Sequence, residues 1–191
     1  MTEKQRCPWS TNDPDYIRYH DEEWGVPVRE DKKQFEFLVL ESAQAGLSWL
    51  TILKRREGYR RLYDGFDVKK VAAYKEAKIL EMLSDPGIIR NRKKIESSIN
   101  NAKRFIEVQK EFGSFCNYLW GFNKGKQVVN HPEDFSDVQS STPLSDTVSK
   151  DMKLRGFTFV GSTILYAHLQ ATGLVNDHLT SCFRHSECTE D

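Results

Sequence analysis

The chain has no surplus charge: 28 lysines and arginines balance 28 aspartates and glutamates over 191 residues. A global attraction for nucleic acid or an anionic membrane is thereby excluded, and a charged partner must be met by a local patch. There is no uninterrupted apolar run of about 18 residues, the length a spanning helix needs. The N-terminal MTEKQRCPWS also lacks the apolar stretch of a secretory signal. The expectation is a cytoplasmic protein with no membrane partner. Cysteine is scarce, four residues with no CxxC pair, and in a reducing compartment these stay mostly as thiols. Repeats, low-complexity tracts and long linkers are absent. The length suits one compact unit, 1–191, with its own core.

No segment alternates convincingly with period two, so the expected fold class is all-α, built from many short helices. DPDYIRYHDEEW holds a short helix with Pro14 in its first turn, after a turn signal in STND. Asp31 is read as the cap of DKKQFEFLVLESAQAG, whose Phe35, Leu38 and Val39 share a face and whose stop is Gly46. Ser48 then caps one helix through SWLTILKRREGYRRLYD, and Asp67 opens DVKKVAAY. EAKILEMLS ends at Asp85-Pro86-Gly87, and a long amphipathic helix runs from Asn91 to about Phe112. SFCNYLWGF is another short helix. Residues 123–143 read as an irregular connection in which Gln127-Val128-Val129 makes at most a short strand. Ser145 caps SDTVSKDMKLRG, Gly156 ends it, and GSTILYAHLQATG is the last long helix. His178 and Cys182, four apart, have the spacing of one helical face.

Three constellations carry chemistry. ILEMLSDPGIIRNRKKIESSI is a helical hairpin, near 76–112, with Ile88 and Ile89 plugging the turn at Gly87. Backbone N–H groups at such a helix start suit a phosphate. Arg90, Arg92, Lys93 and Lys94 surround it, with Lys103 and Arg104 farther along. The plainer reading is a solvated basic face. Three of the four tryptophans fall early in the chain. Trp9, Tyr16, Tyr19, Trp24 and Trp49 lie there with Glu41, whose neighbours in VLESAQAGLSW are apolar or small. Aromatic faces with one buried carboxylate suit a flat cationic heterocycle. The competing reading is an aromatic mini-core with Glu41 paired to Arg55 or Arg56. Thirdly, Cys7 and His20 near one end and His178 and Cys182 near the other offer thiolate and imidazole donors for a closed tetrahedral site. Cys116, Cys188, His131, His168 and His185 compete for the same role.

In this order, these stretches resemble the family of 3-methyladenine DNA glycosylase I, a bacterial base-excision enzyme of the helix-hairpin-helix superfamily. The stretches are RCPW, DPDYIRYHDEEWGVP, LESAQAGLSWLTILKRREGYR, DPGIIRNRKKI, RGFTFVGSTI and GLVNDHLTSC, spread over residues 6–182. The resemblance implies a helix-hairpin-helix glycosylase fold in which one structural zinc ion joins the N-terminal (1–27) and C-terminal (161–191) segments. It places zinc on Cys7, His20, His178 and Cys182. It places the base pocket at Glu41, Trp49, Tyr16 and Tyr19, lined by Trp9 and Trp24, with Glu41 the catalytic carboxylate. Gly87, Arg90, Arg92 and Lys93 would meet DNA, and Leu47 in AGLS would wedge the stack. The implied substrate is double-stranded DNA containing 3-methyladenine, met by a monomer in the bacterial cytoplasm. The tail FRHSECTED matches nothing in the family pattern, which leaves Cys188 as a rival ligand. Many superfamily relatives carry a catalytic Asp just beyond the hairpin. The helix from Asn91 to Phe112 contains none. A base alkylated at N3 is already a cationic leaving group, so the task is to flip it out and hold it. No lysine is needed as a Schiff-base nucleophile, so strand cleavage is not expected. The alternative is a non-catalytic hairpin module that senses alkylation.

Overall fold

A computed structural model describes residues 4–10 and 13–190. The turn expected at 11–12 and the extreme ends of the 1–191 unit lie outside the described residues. Eleven α-helices are described. They are α1 (Pro14–Glu22), α2 (Asp31–Gln44), α3 (Trp49–Leu53), α4 (Arg56–Leu62), α5 (Val68–Ala72), α6 (Glu76–Ser84), α7 (Arg92–Phe112), α8 (Phe115–Gly121), α9 (Pro143–Leu154), α10 (Ser162–Ala171) and α11 (Phe183–Glu187). The strands β1 (Val128–Val129) and β2 (Val175–Asn176) pair in parallel, Val128 opposite Val175. The fold is all-α, as the absent period of two implied. No described helix is long and apolar enough to cross a membrane.

Helix α2 is the axle of the core. Every residue from Gln34 to Ala43 is buried, because α7 and α8 pack on it as well as α10. A helix covered on all sides shows no single apolar stripe, and its few polar residues must find partners inside.

Several boundaries differ from the sequence reading, each for a local reason. Asp31 does not cap its own helix; Glu30 holds that position. The Asp31 carboxylate instead accepts the N–H groups of Phe115 and Cys116, both at 2.9 Å, and so caps α8. Ser48 caps only α3, accepting the N–H of Thr51. The expected long helix breaks at Lys54-Arg55, and the break delivers Arg56 to a buried position beside Glu23 and Glu36. Thr142, not Ser145, is the N-cap of α9; the two form a reciprocal capping box ahead of Pro143. His178 and Cys182 are not on a helix. Asn176 belongs to β2, and its side chain accepts the N–H of His178, a local bond that competes with helical pairing. Cys182 instead stands as the N-cap of α11.

The hairpin between α6 and α7 is backed by α4. A Cβ on Gly58 would lie 2.1 Å from the Gly87 carbonyl oxygen, so only glycine lets the two backbones meet. Asn91 caps α7 by accepting the N–H of Lys94.

The buried cluster around Arg56 makes a testable contribution to acid stability. Burial opposes the charge on Glu23, yet hydrogen bonds and charge from Arg56 and Lys33 hold its carboxyl down at about 2, against an ordinary 4.5. A depressed carboxylate stabilises the fold above its unfolded value and loses that contribution as pH falls through its folded value. Glu23→Gln is therefore expected to cost roughly 2 kcal/mol near pH 7, since Glu36 still pairs with Arg56. The gap between variant and wild type should close as pH falls from 4.5 toward 2. Urea unfolding at a series of pH values checks it; a gap independent of pH would leave Glu23 with no electrostatic role.

Candidate active site and metal centre

A cleft of about 430 Å³ opens between α1, α2, α3 and α10. All six residues singled out from the sequence line it: Trp9, Tyr16, Tyr19, Trp24, Glu41 and Trp49. Tyr16 and Tyr19 are three apart on α1 and so face the same way. Trp9, in a 3₁₀ turn, meets Trp24 edge-to-face at 4.9 Å and Tyr16 at 5.8 Å. Tyr19 lies 5.4 Å from Trp49. The indole N–H of Trp49 is buried and pairs with nothing among the described residues, a donor still available to a ligand. Sequence reasoning missed the opposite wall. Phe135, Val138, Gln139 and Ser140 come from the irregular connection, and Ala167 and Gln170 from α10. Only the density of breakers in 123–143 hinted at a functional loop.

Glu41 is buried, and its partner is neither arginine considered from the sequence. Arg56 pairs with Glu23 and Glu36, and Arg55 donates to the Thr51 carbonyl. Instead, Oε2 of Glu41 lies 3.1 Å from Nδ1 of His168 on α10. Nε2 of His168 is 2.8 Å from Oε1 of Gln34, and the Gln34 amide donates to the Val28 carbonyl. His168, which the sequence offered only as a rival metal ligand, is thus committed to Glu41. Burial pushes the Glu41 carboxyl above its usual range, opposed by His168. Burial, then the neighbouring Glu41, likewise push the Tyr19 phenol well up.

The two remote donor pairs converge. One ligand atom from each of Cys7, His20, His178 and Cys182 lies within 4.8 Å of every other, and all four residues are buried. Cys182 Sγ is 3.4 Å from His20 Nε2 and 3.6 Å from His178 Nδ1, and Cys7 Sγ is 3.6 Å from the latter. The outer ring nitrogens are held: His20 Nδ1 by Asp21 at 2.8 Å and His178 Nε2 by the Trp24 carbonyl at 2.9 Å. Cys182 is drawn toward thiolate chiefly by its hydrogen bond with Cys7, while that same bond and burial keep the proton on Cys7. The rivals stand elsewhere. Cys116 sits against Asp31, and His185 bonds the Asn130 carbonyl. Cys188 lies 4.0 Å from the Trp24 carbonyl, its thiol pushed by burial up to about 11. The cluster has the capacity for a closed, structural metal site.

The family model for methyladenine glycosylases matches residues 9–185. The chain belongs to the methyladenine glycosylase family. DNA-3-methyladenine glycosylase 1 of Escherichia coli K12 is 46% identical over 178 residues, covering 93% of this chain and 95% of that one. A crystal structure of 3-methyladenine DNA glycosylase I superposes with a TM-score of 0.91 at 46% identity, covering 94% of this chain and 98% of that one. A variant of 3-methyladenine DNA glycosylase I solved in complex with 3-methyladenine has a TM-score of 0.90 at 37% identity, covering 93% and 96%.

In this glycosylase the hairpin face is more self-paired than its sequence suggests. The Gly87 N–H donates to Asp85 at 2.7 Å and that of Ile89 to the Tyr59 hydroxyl, so neither is spare. Arg90 and Lys93 are exposed, but Arg92 is bound by Glu76 and Glu96. Arg104 pairs with Glu107. Lys94 is not a surface charge for phosphate: its ammonium donates to the carbonyls of Ala43 and Ala45 at 2.8 and 2.7 Å. It thereby ties the start of α7 to the end of α2, just before the exposed Leu47.

Proposed function

We propose that this chain excises 3-methyladenine from double-stranded DNA by hydrolysing its N-glycosidic bond, leaving an abasic site and an uncut strand. The carrying observation is the aromatic cleft closed at its inner end by buried Glu41, in a member of this family. A flipped base enters between Trp49 and the tyrosines, with Trp9 and Trp24 forming the wall. Glu41 accepts its N–H groups, and aromatic faces favour the cationic ring over neutral adenine. Because the alkylated base leaves readily, extrusion and capture supply most of the catalysis. The absence of Asp from α7 fits that division of labour. Release of free 3-methyladenine from methylated duplex DNA, with no nick before alkali, is the expected result. Binding without release would instead favour the damage sensor.

The buried quartet is read as one structural zinc ion. A tetrahedral ion with bonds of about 2.3 Å to sulfur and 2.05 Å to nitrogen sets sulfur–nitrogen edges near 3.6 Å. The observed 3.4 and 3.6 Å agree. All four positions are filled by protein, so the ion would cross-link rather than activate water. Asp21 and the Trp24 carbonyl would orient its two imidazoles. The ion would join 1–27 to 161–191 within a single unit that acts as a monomer in the bacterial cytoplasm.

DNA would lie across the hairpin at Gly87, Arg90, Arg92 and Lys93, with Leu47 entering the stack. Arg90 and Lys93 are ready for phosphate; Arg92 must first leave Glu76 and Glu96. Lys93→Ala is therefore expected to weaken binding across sequences and reduce the log–log salt slope by about one unit. Arg92→Ala should change affinity less, since its glutamates currently offset its charge. Unchanged slopes in both variants, measured on undamaged duplex, would move the DNA to another face.

A further inference from the structure

The contact between Glu41 and His168 has a proton in it, and the neighbours say how many. Gln34 cannot flip: its amide nitrogen donates to the Val28 carbonyl, so its oxygen faces His168. That oxygen only accepts, which places a hydrogen on His168 Nε2. The other ring nitrogen is 3.1 Å from the Glu41 carboxyl. With no proton there, a lone pair would face a carboxylate oxygen in a buried site, an arrangement with nothing to hold it. One proton between them gives two forms of equal net charge, neutral acid with neutral imidazole or carboxylate with imidazolium. The two side chains are 3% and 1% exposed, so water stabilises neither ion. Among the described residues, Tyr19 from α1 is a further titratable group that Glu41 influences. Arg56 has its charge consumed by Glu23 and Glu36.

The geometry is asymmetric in a useful way. Glu41 lines the cleft and His168 does not. The ion-pair form therefore turns its negative end to the cleft and buries its positive end behind. A cation in the cleft favours that form; a neutral base does not. We infer that His168 determines specificity for cationic bases, by taking the Glu41 proton when a cation enters the cleft and returning it once only neutral base is left. The inference rests on the proposed excision of 3-methyladenine. In the forward step the O–H bond at Oε2 breaks, its electron pair stays on the carboxylate, and the Nδ1 lone pair forms the new N–H bond. Loss of the glycosidic bond makes the base neutral, the driving charge disappears and the proton goes back. His168 touches no substrate; it is a positioning residue that sets the charge Glu41 presents.

Two small probes separate the charge of the base from its shape. The 3,9-dimethyladeninium cation carries methyl groups at N3 and in place of the sugar, and 9-methyladenine is its neutral counterpart. Nitrogen NMR of the full chain with ¹⁵N-labelled histidine, assigned with His168→Gln, should show Nδ1 of His168 unprotonated in the free protein. It should become protonated on saturation with the cation and stay unprotonated with 9-methyladenine. His168→Gln keeps a polar neighbour for Glu41 but cannot store the proton. Its preference for cation over neutral probe should fall on the order of tenfold, the difference between a charge-assisted and a neutral hydrogen bond. A purely structural role would lower the melting temperature and leave that ratio unchanged, which would overturn the inference. So would a His168 Nδ1 that is protonated already in the free protein or unaffected by the cation, and this reading needs only wild-type chain. If the wild type binds neither probe and releases no base from methylated DNA, the proposed function fails and the inference fails with it.

Discussion

Replacing Glu41 with glutamine is expected to reduce excision of 3-methyladenine roughly ten- to a hundred-fold while the fold survives. The amide is nearly isosteric with the carboxyl, and its nitrogen can donate to Nδ1 of His168, replacing the proton now held in that contact. Packing along α2 is thus preserved. What disappears is the negative charge: the acceptor facing the cleft becomes a neutral amide oxygen. A hydrogen bond to a charged group contributes about 1.5–3 kcal/mol, and about 1.4 kcal/mol corresponds to a factor of ten in rate. Trp49→Ala acts on the same bound base by removing a stacking face, so the double variant should lose less than the sum of the two. Single-turnover excision and melting temperature, measured on one preparation, are the check. Normal excision per folded molecule with a lowered melting temperature would reduce Glu41 to a structural partner of His168. A loss far beyond a hundred-fold would mean that Glu41 also steadies the developing sugar cation or the attacking water.

Removing the metal is expected to have the larger effect on stability. Purified protein should carry one zinc per chain, and Cys182→Ala should lose it. An ion held there would close loops between residues as far apart as Cys7 and Cys182, so its loss would resemble the loss of a long-range bridge, about 4 kcal/mol or more. At roughly 2–4 °C per kcal/mol for a chain of this size, the melting temperature should fall by about 8–16 °C. Excision per folded molecule should remain near normal, because a closed site activates no water. Cys188 is poorly placed to substitute, since its sulfur lies toward the Trp24 carbonyl rather than among the four donors. Scanning calorimetry with metal analysis decides the matter. A variant that keeps both its melting temperature and its zinc would remove the cross-link from this account.

The residues of the site were more legible in the sequence than the geometry that joins them. Trp9, Tyr16, Tyr19, Trp24, Glu41 and Trp49 lie within one early stretch, and their residue types alone suggested a cleft for a flat ring. The start of α7 at Asn91 was legible because capping is local. Asp31 misled because an acidic residue at a helix start looks the same whether it caps that helix or one more than eighty residues on. His178 and Cys182 show the reverse: the helical spacing was a false reason for bringing them together, and a loop does so instead. His168 could not have been paired with Glu41 from spacing, being 127 residues away with no local pattern to mark it. Strand β2, two residues long, is set by its pairing with β1 rather than by any alternation of its own.

An ion held by the four donors would also fix how the molecule bears a load. Tension applied between residue 7 and residue 182 has two routes, the long covalent path through the helices and the short one across Cys7, the ion and Cys182. With the ion bound, the short route would be taut first, and the helical body would hang slack beside it. Pulling at these points should meet a single rupture governed by a metal–thiolate bond, and only afterwards the unravelling of α1 to α10.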